Sequence, residues 1–590
     1  MSSVGRNSVI MASGTAASRV TGQIRTILLA AALGTTGLAA NAYQAGSMIP
    51  QLIYTLVSGG IFNAVLVPQI VRTLKKEDAK DRLNKLITFA IILLLAVTVL
   101  MAAATPILTL LYAGGSPEMI ALTNSFTLWC MPQIFFYGLY TVLGQILAAK
   151  GRFAMYAWSS VAANIISCIG FGIFIMLFGR ISHQPMSFWN TKTMMFTAGF
   201  WTLGVAAQAV VLFWPLMKIG LRYRPSFGIH GIGLRSMGPV AAWSMGIVVI
   251  SQIATMITTH ITTSVPFIAE KTMHLDQFDV AGNATYQNAY TIFILPYSLV
   301  AVSVATAIFP KISRAIADHD IRTARIDLSR SLRNVSVIMC FFMITFIIIP
   351  TPISLALLPS ISFKEALLMS NPLMTLALGL PLISAYLIIQ RTFYAFEDGK
   401  HPFIFTSVQL AVQLVSLLSC VNFLPPIYWV TALGATVSVS YILTFPSLVL
   451  MLRRRFRQDL DDKRMILTHI KIAIASVVTI VVCMIVQNPI TSWIDLSSPK
   501  LHGMVRWFRA LGLCAIMTII IAVVYISVML LLRTQEVISM QAPVLRKLAK
   551  RFPVLMPMAR FINRYDTERE ESQEEKVERK PRTVRSHKVD

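Results

Sequence analysis

Two arginines, Arg19 and Arg25, interrupt the first long apolar stretch of the chain, which covers residues 8–33. A charged side chain at the centre of a bilayer costs about 2.5–3.5 kcal/mol on insertion scales, so such residues usually face a bundle interior or a water-filled cavity. The stretch contains no acidic residue that would neutralise them. Two buried-span cations without an acidic neighbour therefore predict an anion-binding site. Structural arginines that donate to helix carbonyls are the alternative.

The spacing of the two arginines sets their relative direction. Six residues correspond to about 600° of helix rotation, so on a straight helix the two side chains point about 120° apart. Gly22 lies between them, and a bend at this glycine would direct both side chains into one cavity.

Polar residues in other apolar stretches are candidates for lining the same cavity. Pro50 and Pro296 interrupt two of these stretches, and helix breakers beside polar groups are typical of mobile helices that line a pathway. Arg391 lies near the end of its stretch, where its side chain can reach the membrane surface. Polar packing contacts between helices are the alternative for each residue. The candidates are Ser18, Asn41, Gln44, Tyr54, Gln287, Asn288 and Arg391.

The composition shows what kind of structure must hold these residues. Of the 590 residues 55% are hydrophobic and only 13% are charged, whereas soluble globular chains carry about 25% charged residues. The six cysteines are scattered without a CxxC pair, so they are predicted to be packing residues. Soluble domains, disordered chains and disulfide scaffolds are therefore excluded. The prediction is an all-α polytopic membrane protein.

Counting stretches of roughly 20 apolar residues, the length that spans a bilayer core, gives about fourteen transmembrane helices. Lys and Arg alternate between the connections, with 26 on one side and 7 on the other. The positive-inside rule then places both termini in the cytoplasm of a multi-pass cell-membrane protein. The net charge of +25 therefore records topology rather than a nucleic-acid partner. The spans are residues 8–33, 40–70, 84–112, 120–149, 154–179, 194–217, 238–264, 281–310, 334–358, 370–396, 402–422, 428–452, 467–488 and 505–532.

An internal repeat relates positions about 245 residues apart. Six spans separate equivalent positions, so the two copies have the same orientation and are related by an axis along the membrane normal. Direct repeats that face each other across a central cavity are typical of transporters, and a duplicated bundle without a pathway is the alternative. Three pairs carry the repeat: residues 67–72 and 309–314, the Thr-Pro-Ile at 105–107 and 351–353, and Gly151 and Gly399.

The repeat and the charge pattern predict four parts. Residues 1–220 form an N-lobe of spans 1–6, and residues 221–455 form a C-lobe of spans 7–12. Residues 456–533 add spans 13 and 14 outside the repeat. Residues 534–590 form a basic cytosolic tail that is partly disordered.

Several short motifs, taken together, carry a family resemblance over about residues 5–530. They are SRVTGQIR at 18–25, NAY at 41–43, IPQL at 49–52, VP at 67–68, and FYA at 393–395 with Asp398 and Pro402 after it. In combination they resemble the MurJ (MviN) family of lipid II flippases, within the multidrug/oligosaccharidyl-lipid/polysaccharide exporter superfamily.

The resemblance implies a transporter rather than an enzyme, moving the undecaprenyl-diphosphate-linked disaccharide-pentapeptide of peptidoglycan from the inner to the outer leaflet by alternating access. It matches Arg19 and Arg25 to cavity arginines that bind the diphosphate, and it makes spans 13 and 14 a groove for the lipid tail. It implies coupling to the membrane potential or to an ion, without a cofactor or a metal site. The expected partners are lipid II and membrane lipids in the bacterial inner membrane, with cell-wall synthesis or division proteins as further candidates.

The chain departs from the family pattern at several positions. Thr26 and Asn41 stand where many members have acidic residues. An arginine pair expected in span two falls on Tyr54 and Thr55, and the arginine expected in span eight aligns near Thr291. The assignment of cavity cations in these two spans is therefore open.

Other functions remain as alternatives. An enzyme acting on diphosphate lipids commonly needs acidic residues to hold Mg²⁺. The clustered candidates Asp459, Asp461 and Asp462 lie among arginines and lysines, which favours a charge-balanced loop and no catalytic residue. Within transporters, the alternatives are another polysaccharide-lipid flippase or a multidrug exporter. A non-transporting cell-wall scaffold is the third class.

Overall fold

The computed structural model describes residues 3–58, 70, 79–181, 183–221, 223–227, 239–456, 460–498, 501 and 503–539. All regular secondary structure in this part of the chain is helical. Eleven of its helices are long and apolar enough to cross a membrane, and a pair bent by 48° at residues 378–379 makes twelve. The all-α polytopic prediction is confirmed. The count of fourteen is not, because the helices at the first two predicted spans are not among these twelve.

Residues 3–227 form the first half of the bundle. Helix α1 packs along α7, α2 along α5, α3 along α6, and α7 along α8. A π-helical turn at Met195–Gly199 lies inside α8. The helices are α1 (Ser3–Leu33), α2 (Gly37–Val57), α3 (Ala79–Ala103), α4 (Thr105–Tyr112), α5 (Pro117–Cys130), α6 (Gln133–Ala149), α7 (Phe153–Phe178) and α8 (Thr191–Lys218).

Residues 239–456 form the second half, and two further helices follow it. The described ranges give α9 (Pro239–Met273), α10 (Asn283–Pro296), α11 (Val302–Ala317), α12 (Ile321–Ile348), α13 (Pro350–Leu357), α14 (Phe363–Ala377), α15 (Leu380–Ala395), α16 (Lys400–Phe423), α17 (Trp429–Phe456), α18 (Asp462–Trp493) and α19 (Gly503–Leu531). Helices α18 and α19 pack on each other and on α12 and α13.

Helix breaks recur at the spacing of the sequence repeat. Both Thr-Pro-Ile motifs lie in short helices, α4 and α13, that follow a long helix across a break. Proline is tolerated there because the first turn of a helix has no intrahelical partner for its N–H group. The helix interruptions at residues 131–132 and 378–379 are also separated by about the repeat spacing. The motif at residues 67–72 lies outside the described residues apart from Ile70.

Two of the predicted boundaries, at residues 220 and 534, fall beside packed segments. Residues 223–227 pack on α3, where Ser226 bonds to Thr88, so the first half extends beyond residue 220. The predicted tail from residue 534 begins inside the bundle, because Glu536 is buried and pairs with Arg333. Residues 540–590 lie outside the described residues.

Candidate functional site

The polar contacts between the two halves cluster at one end of the bundle, which we call the closed end. It is formed by the connections around residues 34–36, 113–116, 179–190, 274–282 and 358–362. The contacts are Gln23 to Leu357, Ser360 to Ile27, Thr35 to Glu365, Thr285 to Thr35, Asn41 to Ala284, Gly114 to Thr263, Arg180 to Ser360 and Glu365, and His183 to Asp276.

Glu365 is the centre of the closed end. It lies in the first turn of α14 and is only 5% exposed. Its carboxylate accepts hydrogen bonds from the backbone N–H of Thr35 at 2.9 Å and of Ser362 at 2.8 Å, and it forms an ion pair with Arg180. Because Thr35 and Arg180 belong to the first half, one buried carboxylate fastens both halves together.

Asn41 belongs to the closed end and does not line a cavity, because it is only 1% exposed. Its amide Nδ2 donates to the Gly37 carbonyl, and its Oδ1 accepts from the backbone N–H of Ala284 at 2.8 Å. Ala284 is in the first turn of α10, so Asn41 caps a helix of the other half. Asparagine suits this role because its side-chain oxygen satisfies a free N–H group at a helix start.

At the opposite end, which carries the basic connections and which we call the basic end, side chains contact their own half. Trp243 of α9 packs against Phe403 with ring centroids 5.1 Å apart, and Ser244 donates to Tyr394. Tyr54 of α2 bonds to Thr141 of α6. Helices of the two halves thus contact each other at the closed end, whereas towards the basic end these side chains contact helices of their own half.

Arg19 lies on the side of α1 that faces the second half. Gln23, four residues further and hence on the same face, donates to the Leu357 carbonyl, and Ala30 of that face is buried in the core of the second half. Arg19 itself is exposed and forms no hydrogen bond or ion pair with the described residues. A cation in this position is available to an anion that enters from the basic end.

Arg25 has different surroundings. It is half-buried, its guanidinium carbon lies 3.9 Å from the centroid of the Trp201 ring, and its Nε is buried without a partner. Helix α1 runs unbroken through Gly22, which lies against Asn164 of α7. Helix α1 therefore has no break at Gly22, and the sequence did not single out Trp201 as a contact of Arg25.

The remaining candidates divide into residues with and without partners. Tyr54 is bonded to α6, Asn288 donates to the Ala284 carbonyl of its own helix, and the Ser18 carbonyl accepts from Asn164. Gln44 and Gln287 are half-buried and have no side-chain hydrogen bond within the described residues. The exposed Arg391 likewise has no ion pair in the described part of the chain.

The positions that depart from the family pattern contain no substitute cation. The hydroxyls of Thr26, Thr55 and Thr291 all donate to carbonyls of their own helices. The clustered acids are also accounted for, because Asp461 pairs with Arg333 and Asp462 with Arg453. Asp459 lies outside the described residues. Paired carboxylates of this kind favour the charge-balanced loop over a Mg²⁺ site.

Solved structures with a similar fold are membrane transporters. The "inward-facing conformation of a multidrug resistance MATE family transporter of the MOP superfamily" aligns with a TM-score of 0.53 and 16% identity, covering 74% of this chain and 98% of that chain. The structure described as "Lipid II flippase MurJ, inward closed conformation" has a TM-score of 0.63 and 20% identity, covering 88% of this chain and 98% of that chain. This chain shares its fold with both structures.

The family model described as "Lipid II flippase MurJ" matches residues 29–501, and the chain therefore belongs to the MurJ family. A "Probable lipid II flippase MurJ" of Rhizobium tropici is 25% identical over 69% of this chain and 73% of its own length. The "Lipid II flippase MurJ" of Thermosipho africanus is 24% identical over 75% of this chain and 86% of its own length. The resemblance read from short motifs is confirmed.

Proposed function

We propose that this protein is a flippase that moves lipid II, the lipid-linked precursor of peptidoglycan, from the inner to the outer leaflet of the bacterial inner membrane. The observation that carries the proposal is Arg19, an exposed cation without a partner among the described residues, on the face of α1 that lies towards the second half. Family membership supplies the substrate class, and the diphosphate of lipid II is the anion that such a cation would bind. The work proposed is transport, not catalysis.

The charge pattern supports an orientation with the basic end and both termini in the cytoplasm. In that orientation the closed end would face outwards, and we propose that this arrangement corresponds to an inward-facing state. Lipid II made at the cytoplasmic face would enter between the halves, and its polar head would reach Arg19. Alternating access then requires the contacts around Glu365 to open, with the membrane potential or an ion as the energy source.

The chemistry of the substrate divides between two environments. The diphosphate needs hydrogen-bond donors with positive charge, which guanidinium groups supply with suitable geometry. The polyprenyl tail needs an apolar groove, and the apolar helices α18 and α19 beside α12 are the proposed location. Partly buried Gln44 and Gln287, which lack partners, are proposed to contact the sugar or peptide part of the head.

The test is a flipping assay that combines depletion with labelling. Cells depleted of the protein, with other lipid II flippases removed, are converted to spheroplasts and their outer-leaflet lipid II is labelled. We expect outward exposure to fall on depletion and to recover when the intact chain is supplied. Normal exposure after depletion would refute lipid II as the substrate and would favour another exported lipid or a scaffold role.

A further inference from the structure

The first half of the bundle gives Arg25 no acidic partner. Its described residues include only two acidic side chains, Asp81 and Glu118, and each lies in the first turn of a helix. Arg25 instead lies in the middle part of α1, and none of its donors has a hydrogen-bond partner among the described residues. Something other than a carboxylate must stabilise this cation when no substrate is bound.

The ring of Trp201 is the group that does so. The Arg25 guanidinium carbon lies 3.9 Å from the ring centroid, well inside the distance at which a cation is attracted to an aromatic face. The attraction is stronger away from water, and tryptophan gives the strongest effect among the aromatic side chains. An aromatic face also leaves the N–H groups free, whereas a carboxylate would accept them.

Two structural features of helix α8 hold Trp201 in a defined position. The π-helical turn at Met195–Gly199 ends two residues before it, and such turns rotate the residues that follow and are frequent at functional sites. The next residue, Thr202, donates to the Trp129 carbonyl at 2.8 Å and accepts from Gln133 at 2.9 Å. Thr202 is thus fastened at the interruption between α5 and α6, and the Trp201 ring is held over Arg25.

We propose that Trp201 is a positioning residue that holds Arg25 by a cation–π contact and keeps its N–H groups free for the diphosphate of the substrate. The proposal rests on the proposed function and deepens it, because it explains how a membrane-embedded arginine is kept available without an acid. Trp201 acts through Arg25 and need not touch the substrate itself.

The test is a double-mutant cycle with undecaprenyl diphosphate as the probe and the full chain in nanodiscs. We expect Trp201→Leu to weaken binding about tenfold, a value between those of exposed and fully desolvated cation–π contacts, and Trp201→Phe to restore most of the affinity. In an Arg25→Ala background, Trp201→Leu should have no further effect. Trp214→Leu is the matched control, because Trp214 is on the same helix and contacts Lys218 instead.

Two results of the binding experiment would overturn the proposal. One is equal weakening by Trp201→Leu with and without Arg25, which would show that the ring acts independently of the arginine. The other is a Trp201→Phe variant as weak as Trp201→Leu. The contact itself is tested without lipid by the melting temperatures of the unchanged protein, Trp201→Leu, Arg25→Ala and the double variant. Additive effects of the two substitutions on the melting temperature would also overturn the proposal. If the unchanged protein binds no diphosphate lipid, the proposed function fails, and the melting cycle still decides the contact.

Discussion

Arg19 and Arg25 are both cations of α1 without an acidic partner, yet they are stabilised differently. Arg19 is exposed towards the second half, whereas Arg25 lies under an aromatic ring. The sequence predicted both arginines and their divergence of about 120°. It could not predict Trp201, because a tryptophan in an apolar stretch has the same appearance as any packing residue and lies 176 positions from Arg25 in the chain.

The first prediction concerns Arg19. Replacement by alanine removes a charge-assisted contact worth about 1.5–3 kcal/mol, so we expect substrate affinity to fall about tenfold or more. Complementation of a depletion strain should be lost at unchanged membrane abundance. Arg152→Ala, which removes an exposed arginine of the basic end, is the control and should complement. An active Arg19→Ala variant would leave only a structural role for this residue.

At the scale of helices and their connections, the closed end depends on residues that meet from distant parts of the chain. The second prediction is that Glu365→Gln loosens it, because the amide cannot pair with Arg180 and cannot accept all the N–H groups that converge there. A buried group that loses a hydrogen-bond partner costs about 1–3 kcal/mol. We expect the closed end to open more often.

The measurement is the distance between spin labels at Thr191 and Lys271, one on each half near the closed end and both exposed. Glu365→Gln and Arg180→Ala should both populate a longer distance. Lys364→Ala, which removes a neighbouring ion pair within the second half, should leave the distribution unchanged. Identical distributions in all three variants would mean that Glu365 does not hold the halves together.

The third prediction concerns the cap that Asn41 provides for α10. Asn41→Ala leaves the Ala284 N–H without an acceptor, and lost caps cost about 1 kcal/mol, up to about 2 kcal/mol. A lower melting temperature in detergent is expected. Gln44→Ala, one turn further along α2, removes no hydrogen bond and should melt like the unchanged protein. Equal melting of both variants would contradict the capping role.

Whether a structural element can be predicted from the sequence depends on how close along the chain its cause lies. The helix breaks at both Thr-Pro-Ile motifs could be expected, since proline acts within one turn. For Asn41 the sequence leaves two interpretations, a cavity-lining residue or a packing contact between helices, because the one that applies depends on a partner 243 residues away. The π-helical turn before Trp201 contains no proline, so the sequence does not indicate it.

At the scale of the whole molecule, a buried ion cluster joins the helices outside the repeat to the second half. Arg333 of α12 is 4% exposed and donates to Glu536 at 2.6 Å and to Asp461 at 3.2 Å. The ion pairs therefore link the connection before α18 and the segment after α19 to one helix. The sequence predicted that the tail begins at residue 534. No local pattern indicates that Glu536 is an anchor, that is, a residue that fixes the C-terminal segment to the bundle by its ion pair with Arg333.

The fourth prediction separates this anchor from the rest of the C-terminal segment. Glu536→Gln leaves Arg333 with one carboxylate, and since breaking a buried pair costs about 3–5 kcal/mol, we expect a clear loss of thermal stability. A chain that ends after Ser539 keeps the anchor and should melt and complement normally. A chain that ends after Arg533 should not. If the chain that ends after Ser539 melts normally but fails to complement, residues 540–590 have a role other than stability, such as docking a partner.

The contact between Asn41 and Ala284 has a consequence for the symmetry of the bundle. Its 243-residue separation nearly equals the repeat spacing of 242 measured at residues 67–72, so Asn41 meets the neighbour of its own counterpart, Asn283, close to the pseudo-twofold axis. In a symmetric pair of identical subunits both asparagines would have to make the same bond. Here Asn283 accepts from Thr262 instead, and its Nδ2 has no partner among the described residues, so the two halves differ at a position where two identical subunits would have to be the same.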